Sequence, residues 1–225
     1  MNSKGWLLGI LLGVLIIILL RLFSSAYIYH QIVDGHEITQ LFPLSFSQQL
    51  SINNDPVQIT INPEKKTIQF NTFILTPIAT YQLRAQVLSK NRHYNTHLDA
   101  AMSSFMDSKL FPIDIALGWG LMSDPERLKH VTVTQYGRWD FWQPKDSSIT
   151  NEEVMLHSDN FHMIPGSRAV FEKLNSLKIG QQVSLLGYLV NVKTVNDEYH
   201  WDSAFEGYYS GPGACRIFLV IDVKE

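Results

Sequence analysis

The chain has 225 residues, with 18 basic against 21 acidic side chains, 45% hydrophobic residues, 17% charged residues and one cysteine. That length can bury a real core in one domain or two small ones, and the aromatic, weakly charged composition excludes a disordered, collagen-like or low-complexity chain. A single cysteine excludes an internal disulfide framework and any CxxC zinc or redox motif, and a net charge of −3 argues against nucleic-acid binding driven by charge.

The hydrophobicity is concentrated at the start. Gly5 to Leu20 carries no charge, and Arg21, Leu22 and Phe23 follow. As a helix these roughly 19 residues would be about 28 Å long, close to the thickness of bilayer hydrocarbon. Arg21 can snorkel to the headgroups, and Trp6, Tyr27 and Tyr29 fall where interfacial aromatics belong. A cleaved signal peptide competes, because Lys4 supplies a basic start and Ser24-Ser25-Ala26 an acceptable cleavage site. The length of the apolar run and the position of Arg21 favour an anchor. Either reading sends the remainder across the membrane, and Lys4 against Arg21, Asp34 and Glu37 favours an N-terminus inside. Lys4 and Arg21 are the only charged side chains up to Phe23, so the remainder has 16 basic and 21 acidic residues, a net of −5. The expected organisation is a membrane anchor over 1–23, a tether over 24–56 and an exported domain over 57–225.

Within that domain, Val57, Ile59 and Ile61 alternate with polar residues as a strand, Pro63 to Lys66 makes a turn, and Thr67 to Leu75 returns. Tyr81 to Val87 alternates again. Leu98, Met102 and Phe105 share one face of an expected helix over Asn95 to Met106. Ile113 to Leu117 is a brief apolar run. Ser123-Asp124-Pro125-Glu126 has capping-box spacing, His130 to Tyr136 alternates as a strand, and Thr150-Asn151-Glu152-Glu153 repeats the cap ahead of Val154 to His157. Val170, Leu174 and Leu177 give a helix its apolar stripe, with Gly180 as the stop. Gln182 to Val195 is the strongest strand, and Cys215 to Val223 closes the chain, which places the lone thiol in the core. Strands and helices do not alternate regularly. The fold class is therefore α+β: a transmembrane helix, then a mainly antiparallel, barrel-like β domain with short helices, OB-like or SH3-like.

Four segments are unusual: Ile115 to Asp124, His157 to Pro165, Gly187 to Val190, and Gly213 to Cys215. Together they resemble a family of uncharacterised bacterial proteins with one N-terminal membrane segment or signal, over about two-thirds of the chain from Tyr81 onward. The resemblance implies a bacterial envelope protein; with the apolar segment and its flanking charges, the expectation is a single-pass inner-membrane protein with its C-terminal domain in the periplasm. The chain departs from that pattern around Trp201 to Glu206, and Leu98 to Lys109 looks inserted.

The candidate chemistry is sparse. His157, Asp159 and His162, with Asp124, could supply metal ligands or acid–base groups, but no HExxH pattern supports a metal. Ser123 or Ser158 could act as nucleophile with His162 as base and Asp114 or Asp124 as orienter, without a GxSxG elbow. Asp114 and Asp124 could also pair for glycoside chemistry. Helix-end and local hydrogen-bonding roles compete for the two histidines. The run Gly137 to Trp142, with Trp119 and Trp201, could form a stacking platform for sugars, peptides or nucleobases; in a strand Trp139 and Phe141 share one face while Arg138, Asp140 and Trp142 share the other, and the competing, favoured reading is that one face is simply core. Trp119, Met122 and Trp139 are the ligand-binding candidates. The expectation is a non-catalytic binding or structural module, with a hydrolase or metal-dependent enzyme using Asp124, His157 and His162 as the alternative. No cofactor and no resident metal are expected. The expected partners are the lipid bilayer through residues 5–23 and an envelope protein or cell-wall component, with no nucleic acid.

Overall fold

The computed structural model describes residues 13, 44–46, 49–61, 67–70, 72–93, 110–206 and 214–225. The expected anchor, apart from Gly13, lies outside them, as do most of the expected tether, the expected turn over 63–66 and the helix over 95–106. No helix among the described residues is long and apolar enough to cross a membrane.

The barrel is organised by one 20-residue strand. β1 (Val57–Thr60), β2 (Ile68–Phe70), β3 (Phe73–Arg92) and β4 (Ile113–Gly118) come first. β3 buries Ala79, Tyr81, Leu83, Ala85 and Val87 on one face, as its alternating pattern requires. Its register slips between Pro77 and Ala79 against one neighbour and between Val87 and Ser89 against another. Such irregularities accommodate a proline and bend a strand around a barrel.

Both β1 and β2 pair with β3, and β2 reverses directly into it at Phe70↔Phe73. The expected hairpin between β1 and a continuous strand over 67–75 is therefore replaced by a reversal between Phe70 and Phe73. The remaining elements are a 3-10 turn (Gly120–Ser123), α1 (Pro125–Leu128), β5 (Val131–Tyr136), β6 (Trp139–Pro144), α2 (Asn151–His157), β7 (Ser158–Pro165), α3 (Arg168–Ser176), β8 (Gln182–Thr194), β9 (His200–Trp201) and β10 (Arg216–Lys224).

Antiparallel pairing runs from β3 to β4, β4 to β7 and β10 to β8, and β8 returns to β3. The ring closes through one parallel pair, β7 with β10. The sheet is thus mixed rather than antiparallel throughout. A parallel pair needs a crossover connection, and α3 lies in it between β7 and β8. Val170, Leu174 and Leu177 of this segment join the apolar interior. Five strands closed in this Greek-key order, with a helix between the third and fourth, make an OB-like barrel.

Gly187 permits the β8–β10 approach, because a Cβ there would sit 1.9 Å from the Leu219 carbonyl oxygen. Two further apolar clusters cover the outside of the barrel. One packs Phe70, Phe73, Phe111, Tyr188 and Leu219. The other packs Ala116, Met122, Val131 and Val154 beneath the β5–β6 hairpin. That hairpin turns at Gly137-Arg138, where Gly137 has φ +58°.

The caps follow local chemistry. Thr150 and Glu153 make both arms of a capping box on α2. On α1 the cap is Asp124, one residue later than the spacing suggests: its carboxylate accepts from Glu126 N at 2.9 Å, while Ser123 Oγ donates to the Gly120 carbonyl at 2.7 Å. At the end of the expected tether, Leu50 is buried and Asp55 accepts from the Trp119 indole at 3.2 Å, so residues 50–55 lie against the barrel.

Candidate functional site: a buried polar cluster beneath the β5–β6 hairpin

Strands β4 and β7 are buried on both faces. Ile113, Ile115, Leu117, Phe161 and Met163 point into the barrel. Alternate residues point outward, and the register sets Asp114 opposite His162 and Ala116 opposite Asn160. The hairpin covers these outward positions, so their polar groups need partners from the protein.

Asp114 is fully buried and supplies most of that pairing. Its Oδ1 accepts from His162 Nδ1 at 2.9 Å and from Arg138 Nη1 at 3.0 Å, and its Oδ2 accepts from His93 Nε2 at 2.7 Å. An ionised carboxylate only accepts, so each histidine presents an N–H to it. Arg138 Nη1 also donates to the Phe111 carbonyl at 2.7 Å. Asn160 accepts from Gln135 Nε2 at 2.7 Å and donates to the Arg138 carbonyl at 3.0 Å and to Cys215 Sγ at 3.5 Å. Asn91 secures the hairpin tip through the Gly137 carbonyl at 2.9 Å. The cluster therefore ties the hairpin to the barrel as well as assembling ionisable groups.

The electrostatics follow from this arrangement. Burial alone would raise the Asp114 pKa, but the charges of His162 and Arg138 and the histidine hydrogen bonds hold it well below the usual carboxylate range. Burial alone would lower that of His162, but Asp114, with the Cys215 thiol as a further contributor, holds it above its ordinary value. Desolvation raises Asp140 nearby. Within the cluster, and among the described residues, His162 Nε2, Arg138 Nε and Nη2 and the Gln135 Oε1 acceptor are buried without a hydrogen-bond partner. The Trp201 ring lies 4.6 Å and the Phe111 ring 5.8 Å from the His162 ring, centroid to centroid.

The residues singled out from sequence separate. Asp124 is an exposed helix cap. His157 Nδ1 bonds the Glu153 carbonyl at 2.9 Å, and its ring packs against Gly120, whose φ is +51°. His162 belongs to the Asp114 cluster, through a partner 48 positions away rather than a local one. Ser158 Oγ donates to the Val154 carbonyl at 2.7 Å, so both candidate serines, Ser123 and Ser158, spend their hydroxyls on backbone. Met122 is fully buried, Trp119 is 6% exposed, and Trp139 lies on the outer surface.

Asp159 pairs with Arg216 at 2.5 Å, and burial raises its pKa against the pull of that guanidinium. The pair lines a cleft of about 140 Å³ with Gln58, Tyr81 and Trp119. His93, Asn160 and Cys215 are cluster members to which the sequence assigned no role in a site, and Arg138 stood out only as part of the aromatic run over 137–142. The only local signal was polar residues at alternate positions within apolar strands.

No group of three or more His, Cys, Asp or Glu side chains among the described residues is arranged to hold a metal ion. Fold and cluster together define an OB-like barrel carrying a buried Asp–His pair beside a thiol. No protein-family model, curated protein or solved structure matches the chain.

Proposed function

We propose that the chain is a membrane-anchored bacterial envelope protein whose barrel faces the periplasm and binds cell-wall glycan through the outer face of the β5–β6 hairpin. The observation that carries this reading is a strip of aromatic side chains on one face of that hairpin. Tyr136, Trp139 and Phe141 are 65%, 41% and 54% exposed, and Tyr136 pairs with Trp139 across the strands. Exposed aromatic rings offer flat apolar surface suited to the C–H faces of sugar rings. The net charge of −5 beyond Phe23 disfavours phosphate-rich polymers. The opposite face, with Trp142, packs on the barrel, and the polar cluster holds the hairpin rigid beneath its binding surface. Anchoring through residues 5–23 would keep this face near the wall.

The alternative centred on Asp124, His157 and His162 gains no support, because each of the three is engaged separately. Co-sedimentation of the detergent-solubilised full chain with purified sacculi tests the proposal. Binding that falls about tenfold or more in Trp139→Ala/Phe141→Ala supports it. Equal binding by the variant, or capture of a partner protein with no glycan binding, overturns it. Topology has its own test: a periplasm-active reporter fused after Glu225 should give signal, and signal from a cytoplasm-active one would reverse the orientation.

A further inference from the structure

One end of the barrel carries charge inside its wall. Asp159 and Arg216 lie two residues before Phe161 and Phe218, so they share the inward faces of β7 and β10 with those core rings. The Tyr81 ring meets both phenylalanines at centroid distances of 5.9 and 5.5 Å, and the Arg216 guanidinium lies 5.1 Å from its centroid. The cleft of about 140 Å³ opens on this end. Barrel mouths are a common place for a small ligand.

The cleft offers acceptors more than donors. Trp119 Nε1 is spent on Asp55 Oδ1, and Ser158 Oγ on the Val154 carbonyl. Arg216 gives Nε to Asp159 Oδ2 and Nη1 to Gln58 Oε1 at 2.8 Å. Asp159 Oδ1 takes only the amide of Asn160 among the described residues. A carboxylate has about four acceptor positions, so Asp55 and Asp159 both keep capacity.

Tyr81 is the second, independent sign. It is 2% exposed, and its hydroxyl makes no hydrogen bond among the described residues. Its ring is enclosed by Phe161, Phe218 and Arg216, which leaves the hydroxyl end to reach the cleft wall. A phenol buried this far ordinarily has a partner. Burial raises its pKa, so the hydroxyl stays neutral and its oxygen can accept.

Charge selects the ligand. Two carboxylates face one guanidinium, and Asp140 adds negative potential at Asp159. Burial pushes the Asp159 carboxyl up to about 6 against the pull of Arg216, so this carboxylate is short of positive charge. An ammonium has three donors and no acceptor, which matches two carboxylates and a phenol oxygen. Pro56, Met155 and Leu156 line the same cleft and suit a methylene stem. At about 30 Å³ per water-sized group there is room for about five heavy atoms. That is the size of an unbranched four-carbon arm ending in nitrogen.

We propose that this cleft binds the terminal ammonium of a lysine-type side chain, held by Asp55, Asp159 and Tyr81. The cleft shares no residue with the aromatic strip of the hairpin, so either reading can fail alone.

The test is calorimetric titration of the full chain in detergent micelles at neutral pH. The probes are the N-acetyl methylamides of lysine and of norleucine, which lacks the amine, and free glucosamine, which carries an ammonium on a ring. The lysine probe should bind at least about tenfold more tightly than either of the others. Two mild variants check the seat. Asp55→Asn keeps an acceptor for Trp119 and removes a charge, and should weaken lysine binding about tenfold. Tyr81→Phe keeps the core ring and removes the hydroxyl, and should weaken it about fivefold. No binding of the lysine probe, equal binding of norleucine, or tighter binding of glucosamine overturns the proposal. Wild-type affinity in either variant also overturns it.

Discussion

The two faces of β7 are equally closed to solvent and are held by different physics. Phe161 and Met163 face the barrel axis, where Tyr81 and Phe218 meet the Phe161 ring at centroid distances of 5.9 and 5.8 Å. Asn160 and His162 face the hairpin, where each polar atom is matched to a named donor or acceptor or left alone. The inner face asks for volume and shape, and a similar apolar side chain can substitute at modest cost. The outer face asks for pairing, so removing one partner strands the others without water. One strand therefore carries both a tolerant core and an intolerant cluster, and that intolerance is what an arranged site requires.

Substitutions that attack each face separately break or sharpen this contrast. The largest effect is expected from Asp114→Ala, which leaves His162, His93 and Arg138 buried without their shared acceptor. Urea unfolding of the solubilised chain should show a loss of about 3–5 kcal/mol. A loss under about 1 kcal/mol would mean that the cluster rearranges freely and the contrast is unreal.

Met163→Ala should cost about 2–5 kcal/mol through the cavity it leaves. Its effect should be the same at every pH, whereas the outer face should be pH-dependent. The Asp114 pKa is depressed on folding, so its contribution is present above the ordinary 3.8 and is lost as pH falls through the lower folded value. The His162 pKa is raised, so its contribution is present below the ordinary 6.5 and is lost as pH rises through the higher folded value. Stability attributable to the pair should peak between those ordinary values. His162→Gln should flatten the alkaline decline, which a pH series of unfolding midpoints would reveal. A wild-type midpoint that stays level from neutral pH upward would contradict the assignment.

The smallest effect is expected from Thr150→Ala, at about 1 kcal/mol. It removes one arm of the solvent-exposed capping box on α2 and serves as the baseline for the other substitutions. A cost matching that of Asp114→Ala would show that the helix, rather than the cluster, secures the hairpin region.

Where a feature depends on neighbours a few residues apart, it was legible in the sequence. The Thr150–Glu153 box, the strand over Gln182–Thr194 and the burial of Cys215 all rest on local spacing or hydrophobic run. The β2–β3 reversal was misplaced because Thr67 to Leu75 reads as one returning strand across the polar pair Asn71-Thr72, whereas Phe70 pairs with Phe73. Trp139 and Phe141 were correctly grouped on one face. Alternation cannot say which face is core, and the structure turns Asp140 and Trp142 inward and leaves the other two rings exposed.

The candidate site was legible only in fragments. His162 stood out as a titratable residue, and Asp114 was weighed as an orienter for it. Asp124 and His157 drew equal attention because cap chemistry and site chemistry use the same residue types.

The sequence by itself determined the exclusions, the two-part hydropathy and most strand positions, because composition and period-two alternation are local properties. Only the tertiary structure decided which residues share a site. Asp114, His162 and Cys215 span a hundred positions, and they meet because β4 pairs with β7 in antiparallel register while β10 joins β7 in parallel. A one-residue slip in either pairing would move one set of side chains to the opposite face. Register is set by the whole closed ring, and no short stretch of the chain encodes it.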